Sequence, residues 1–283
     1  MSGFSAFWLA LREPADHRAR HAGLKASLLS ELGKRVHPDR VLRVTDLGCG
    51  TGSNLRALSE GLHPRQSWRL VDYDPALLSA ARVQLMQWAD RHDESGALLL
   101  LHKNGQEIEV SFEQHDLNLN LEQVLALPAD LVTAAAFFDL VSESWIERFC
   151  RALNAVFYTV LTYDGIEEWR PAHPADDMMR EAFHAHQGTD KGFGVAAGPR
   201  ATEVMARSLA STGFQVQRAP SPWTLSQKSD RELMSALAQG AAQAVSETGR
   251  VSETDIQSWL KARQQAQSCV VGHEDLLAFR PLA

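Results

Sequence analysis

Three aspartates stand where predicted strands would deliver them to one ligand. Asp46 precedes the run Gly48-Cys49-Gly50-Thr51-Gly52, Asp72 comes twenty residues after Gly52, and Asp116 sits between His115 and Leu117. A strand that runs into closely spaced glycines brings backbone against a bound molecule, because glycine has no Cβ to collide. Position 53 is Ser, so the G-x-G-x-x-G spacing of dinucleotide binders is not met. An acid in front of the loop suits a cationic group such as an ammonium and would repel a pyrophosphate. Asp72, at the predicted tip of a second strand, can accept both hydroxyls of a ribose. Asp116 and Leu117 suit a purine, with the carboxylate on an exocyclic amine, a backbone N–H on a ring nitrogen and apolar atoms against the rings.

The elements that must hold these residues alternate. Residues 41–47 read as a β-branched strand feeding the glycines, 53–60 as a helix, 68–72 as a strand, and Pro75 opens a helix to about Trp88. Leu98-Leu99-Leu100-Leu101, Asn104-Gly105 and 108–112 read as a β-hairpin, Asn-Gly being a strong short turn signal. A strand at 130–134, a helix at 143–153 and a strand at 156–162 ending at Tyr163-Asp164-Gly165 continue the rhythm. The stretch 165–198, punctuated by prolines and glycines, holds a short helix near 175–187. A helix at 200–211, a strand at 213–218, two helices within 228–267 and a last strand at 270–279 complete the chain. Two helical segments, 4–11 and 21–36, precede the first strand, with Pro14 and Asp16 expected between them. Strand–helix alternation argues for a mostly parallel sheet with right-handed crossovers.

The segments VTDLGCGTGSN, VDYDP, QHDL and ADLVTAAA, in this order, resemble the successive motifs of class I S-adenosylmethionine-dependent methyltransferases over roughly residues 40–165. The resemblance implies a Rossmann-like, doubly wound α/β fold with a seven-stranded sheet whose last strand is antiparallel. It implies S-adenosyl-L-methionine as cofactor, with Asp46, Gly48, Cys49, Gly50, Gly52 and Asn54 on the methionine side. Asp72 would bind ribose, Tyr73 would stack beside the adenosine, Asp116 and Leu117 would hold adenine, and Ala134 through Phe137 would close the pocket. Two features depart from the family: about fifty helix-rich residues separate the last two strands, and 165–198 is long. The expected organisation is therefore a helical cap over 1–40, a cofactor core over 41–164, a lid or substrate insertion over 165–198, and a C-terminal part of the core over 199–283 carrying the insertion 228–267. Long punctuated loops inside compact domains are usually functional.

If the acceptor must lose a proton, Asp139, Asp164 and His173 are the candidate bases. Tyr163, Trp145 and Lys191 are the candidate substrate contacts. Each has a plainer reading: Trp145 as a packing anchor, Glu143 as first-turn acid behind a Ser142 or Ser144 cap, Cys49 as a small residue between glycines, Arg12 and Arg20 as helix-surface charges or as reach to the cofactor carboxylate. His184 and His186 lie two apart, which on a helix points them away from each other, so no metal is expected.

The net charge of −7 and the lack of a basic patch speak against nucleic acid. Three widely spaced cysteines, no signal-like start and no long apolar run point to a reducing cytoplasm and no membrane. The expectation is methyl transfer to a small-molecule O, N or C nucleophile. A protein or peptide acceptor, a non-catalytic S-adenosylmethionine-binding regulatory protein and, more remotely, a nicotinamide oxidoreductase stand as alternatives. Oligomeric state is left open.

Overall fold

The computed structural model describes residues 4–190 and 192–282. Ser5 caps α1 (Ala6–Ala19) by accepting from the Trp8 N–H, and the His21 ring caps α2 (Ala22–Arg35). There follow β1 (Leu42–Leu47), α3 (Ser53–Leu58), β2 (Arg65–Asp72), α4 (Pro75–Trp88), β3 (Arg91–Ser95), β4 (Leu98–Lys103), β5 (Gln106–Gln114), α5 (Leu117–Ala126) and β6 (Leu131–Ala135). The second half comprises α6 (Glu143–Ala152), β7 (Val156–Arg170), α7 (Asp176–Gln187), α8 (Ala201–Ser211), β8 (Gln215–Pro220), β9 (Trp223–Ser226), α9 (Arg231–Thr248), α10 (Glu253–Arg263) and β10 (Ser268–Phe279).

The strands form one sheet in the order β3-β4-β5-β2-β1-β6-β7-β10-β8, with β9 paired to β10. The run β5-β2-β1-β6-β7 is parallel throughout, and β10 is antiparallel to both β7 and β8. Eight of its strands correspond to those read from the sequence, and the described residues add two, β3 and β9, so the sheet is ten-stranded rather than seven-stranded. The hairpin partner β4 was legible from its Asn-Gly turn, whereas β3 and β9 were not. Strand β3 carries Arg-His-Asp-Glu-Ser, fully exposed, so it shows no apolar alternation; β9 is four residues long.

Both faces of the sheet are covered, as burial of a parallel sheet requires. Helices α2, α3, α4, α9 and α10 pack on one face around Leu28, Leu55, Leu85 and Trp259, and α5, α6 and α8 on the other around Leu121, Phe149 and Leu209.

Two expectations are corrected. Pro14 lies inside α1 rather than between helices. The helix continues through it because Asp16, one turn after Arg12, is buried and takes two guanidinium hydrogen bonds from Arg12 (2.9 and 3.1 Å) and one from the Trp223 indole (3.0 Å). The second correction concerns β7, which does not end near Gly165. After a turn in which Gly165 takes φ +92°, residues Glu167 to Arg170 pair with Ser268 to Val271 of β10.

Candidate active site

The carboxyl ends of β1, β2 and β6 meet around the glycine loop. Gly48, Gly50 and Gly52 all take positive φ (63°, 54° and 75°), a region that costs residues with a Cβ about 1–2 kcal/mol. Gly48 meets a second demand: a Cβ there would sit 2.7 Å from the Phe137 ring, which follows β6. Leu9 of α1 closes over Gly50, where a Cβ would lie 3.0 Å from its methyl. The loop is thus gripped between the N-terminal helix and the end of β6.

Asp46 is fully buried at the tip of β1. Its Oδ1 accepts from the Asn54 amide at 2.7 Å, and its Oδ2 has no hydrogen-bond partner. Asn54 also donates to the Thr133 hydroxyl (3.1 Å) and accepts from Arg20 (2.9 Å), so the end of α1 is tied to the β1 and β6 tips through one amide. Burial pushes the Asp46 carboxyl up to about 7, against the pull of Asn54 and Arg20. A buried carboxylate oxygen without a donor costs free energy until something supplies one. A ligand ammonium would do so.

Asp72 ends β2 and accepts from the backbone N–H of Gly50 (2.8 Å) and of Asp74 (3.0 Å). It fixes the loop while each oxygen keeps a further lone pair for a diol. Tyr73 beside it is more than half exposed. Asp116 caps α5 by accepting from Asn118 N–H (2.8 Å), next to buried Leu117, and Ala134 is fully buried in β6. The Cys49 thiol is buried and raised far above its ordinary range by burial and then by Asp72, so it is inert as a nucleophile. The orphan oxygen, the positive-φ loop and the two following aspartates together fit the residues expected for S-adenosylmethionine.

A second cluster lies just past β6 and midway along β7 and β10. Asp139 is buried just after β6. Its Oδ2 accepts from the Gln187 amide at 3.2 Å, while its Oδ1 and the Gln187 Oε1 have no partner. Burial raises Asp139 to about 6, opposed by its own backbone and by Arg12. Tyr163 shares a hydrogen bond of 3.0 Å with His184 of α7, and burial pushes its phenol up, so it stays protonated. His273 of β10, register partner of Tyr163, is held down to about 3 by burial and then by Arg12; it is neutral, and its Nδ1 has no partner. Its ring lies 5.0 Å from that of Trp223, over which Arg12 stacks at 5.1 Å.

Several expected residues go elsewhere. Trp145 is a packing anchor: it stacks on Phe149, and its indole N–H donates to the Leu117 carbonyl at 3.1 Å, which leaves it no polar atom for a substrate. Its helix is capped by Ser142, and Glu143 pairs with Arg200. His173 is not with Asp139. Its Nδ1 accepts from Ala175 N–H at the start of α7, its Nε2 faces Ser258 of α10, and it lies beyond Arg170, about 20 Å of extended chain past Asp164. Asp164 is half-buried, accepts from Ile166 N–H (2.9 Å) and presses on Gly272, where a Cβ would come within 2.1 Å of its oxygen. Lys191 lies outside the described residues. The diverging histidines behave as helix geometry demands: His184 meets Tyr163 and His186 meets Glu247 (3.0 Å). Among the described residues no group of three or more His, Cys, Asp or Glu side chains could hold a metal ion. Gln187 and His273 were missed in the sequence. Gln187 ends an amphipathic helix and His273 lies midway along a buried strand, and only long-range packing makes each an orphan.

The insertion loop reaches the cofactor side. Asn118 donates to the Gly192 carbonyl (3.0 Å), and the Phe193 ring packs edge-on against Phe137 and Trp145.

No protein-family model matches the chain, and no curated protein matches it in sequence. Solved structures do match in shape. A cyclopropane-fatty-acyl-phospholipid synthase-like protein from Lactobacillus casei aligns over 98% of this chain and 95% of its own, at 12% identity and TM-score 0.52. An S-adenosylmethionine-dependent methyltransferase from Geobacter sulfurreducens, crystallised with S-adenosyl-L-homocysteine, covers 99% of this chain and 100% of its own at 13% identity and TM-score 0.46. One from Thiobacillus denitrificans, with the same ligand, covers 98% and 99% at 14% identity and TM-score 0.45. No helix among the described residues is long and apolar enough to cross a membrane. With its strand order, its antiparallel strand β10 and its likeness in shape to the Lactobacillus casei protein, the chain has a Rossmann-like, doubly wound α/β fold.

Proposed function

We propose that this chain is an S-adenosylmethionine-dependent methyltransferase acting on a small molecule. The observation that carries the reading is the unpartnered Oδ2 of fully buried Asp46, set against a loop of three positive-φ glycines and followed by Asp72 at the next strand tip. The bound cofactor supplies a methyl group on a sulfonium, which an in-line nucleophile displaces. In this reading Asp46 neutralises the cofactor's ammonium, Asp72 orients its ribose, and Asp116 with Leu117 holds its base. Leu9 and Phe137, clamped on the loop, keep water off. Alignment and water exclusion supply much of the acceleration in such a displacement.

The acceptor in this reading sits on the second cluster. Asp139 is the base best placed to take its proton, being buried and raised toward neutral pH, where a general base works well. Tyr163 with His184 positions the acceptor from the opposite wall. The N-terminal helix, held by Asp16 and Trp223, and α7 enclose this cluster. That enclosure favours a small molecule over a polypeptide.

The experiment is turnover of the full chain with S-adenosylmethionine and a cell extract split by molecular mass. The expected result is release of S-adenosylhomocysteine with a methylated product in the low-mass fraction only. A label on macromolecules would reverse the acceptor class. Cofactor binding without product in any fraction would make the chain a non-catalytic binder.

A further inference from the structure

We infer that the acceptor nitrogen is that of a small amine, held by Asp139, Gln187 and His273; this rests on the methyltransferase reading. Three side chains, each at least nine-tenths buried, present polar atoms without partners: Asp139 Oδ1, Gln187 Oε1 and His273 Nδ1. They belong to one neighbourhood. Gln187 touches Asp139 at 3.2 Å, and Arg12 acts electrostatically on both Asp139 and His273. His273 packs near Tyr163 (6.3 Å between rings), and Tyr163 in turn feels Asp139.

In one of the two His273 tautomers these atoms share one sign. Asp139 Oδ1 accepts hydrogen bonds. The Gln187 amide donates through nitrogen to Asp139, which fixes its oxygen as the free acceptor. His273 is neutral, and in the tautomer that carries its proton on Nε2 its Nδ1 is an acceptor. The donors nearby are already engaged: Arg12 is held by both oxygens of Asp16, and the His184 ring is bonded to Tyr163. Other charges facing the cluster are Glu167 and Asp164 on β7, which act on Tyr163, and on α7 Glu181, which acts on His184, and Arg180, which acts on both. A carboxylate ligand would meet acceptors with no free donor. A hydroxyl brings one donor, whereas an ammonium brings three, matching the three vacant acceptors, and it supplies the countercharge a buried carboxylate lacks. The flanking rings of Trp223, Tyr163 and Phe183 suit an apolar or aromatic substituent on that amine.

The step balances. The ammonium passes one proton to Asp139 Oδ1, which frees the nitrogen lone pair. That pair forms the N–CH3 bond while the CH3–S bond breaks and leaves its electrons on sulfur, cancelling the sulfonium charge. The product is a methylated ammonium, and protonated Asp139 returns its proton to solvent.

The test uses benzylamine, benzyl alcohol and benzoate as probes, titrated by calorimetry into the full chain saturated with S-adenosylhomocysteine. Benzylamine is expected to bind more tightly than benzyl alcohol, with benzoate weakest. Asp139→Asn is expected to weaken benzylamine by about 10-fold or more while S-adenosylhomocysteine affinity stays within about twofold, which also shows that the variant folds. Gln187→Leu serves as the second variant, with a loss of about 3- to 10-fold expected from one deleted acceptor. No benzylamine binding, benzoate the tightest probe, or affinity unchanged in both variants would overturn the inference. If the unmodified chain does not bind S-adenosylhomocysteine at all, the methyltransferase reading falls first; if it does, only the amine assignment is at stake.

Discussion

The two halves of the strand-end surface are built differently. At the tips of β1 and β2 the polar residues come from one stretch of about thirty positions, Asp46 to Asp72, and satisfy one another: Asn54 holds Asp46, and Asp72 holds the Gly50 N–H. Asp46 Oδ2 is the orphan among their carboxylate oxygens, beside the unpartnered side-chain atoms of Thr51, Ser59 and His63 in the same stretch. Past β6 and midway along β7 and β10 the polar residues come from positions 12 to 273, and Asp139, Gln187 and His273 keep unpartnered atoms. The first half is a cradle formed by local chain geometry. The second is assembled by packing, so its chemistry is free to vary while the cradle stays. Substitutions in the first half should therefore change cofactor affinity, and those in the second should change acceptor turnover at constant cofactor affinity.

The largest effect is expected at Asp46. Asp46→Asn keeps the shape and removes the charge, and should weaken S-adenosylhomocysteine by about 30-fold or more, the cost of stripping one partner from a buried charge pair. The same variant has a pH signature in the ligand-free protein. The folded-state value of about 7 lies above that of an unfolded aspartate, so the folded chain holds an extra proton between about pH 4 and 7 and loses stability as pH rises through that window. Asp46→Asn escapes that loss. Its Tm should match that of the unmodified chain near pH 5 and exceed it by about 2–4 °C near pH 8. A variant less stable at pH 8 than at pH 5, relative to the parent, would contradict the buried-carboxylate account.

Next comes Gly48→Ala, which meets both a positive φ and the Phe137 ring. A loss of about 2 kcal/mol by chemical denaturation is expected. Adding Phe137→Ala should recover the part due to collision and leave the part due to φ. Strict additivity of the two single changes would show that the ring and the glycine do not meet. Arg20→Ala, which releases Asn54, should weaken S-adenosylhomocysteine by only about 3- to 5-fold, through a misplaced amide. The smallest effect is at His173. His173→Ala should cost at most about 1 kcal/mol through its place at the start of α7, and should leave turnover untouched. A large loss of turnover there would break the division between the two halves.

This contrast also explains what could be read from the chain before folding. Asp46, the glycines, Asp72 and Asp116 are legible because their spacing is set by one strand, one turn or one crossover. Trp145 and His173 keep two readings in the sequence because their residue type admits two uses, and the partners the structure gives them, the Leu117 carbonyl for one and the Ala175 N–H for the other, are invisible in composition. Gly165 looked like the end of β7 because a positive-φ glycine commonly ends a strand. The pairing of Glu167 to Arg170 with β10, about a hundred residues later, carries the strand past it. Gln187 and His273 gave no signal, since an orphan atom is defined only by what fails to reach it.

The most direct test of the central claim is a calorimetric titration of S-adenosylhomocysteine into the unmodified chain and into Asp72→Ala, which deletes the carboxylate that braces Gly50 and that the proposed reading assigns to the ribose. The account predicts saturable one-to-one binding, weakened by about 30-fold or more in the variant, the equivalent of about 2 kcal/mol. No binding to the unmodified chain, or equal binding by the two proteins, would contradict it.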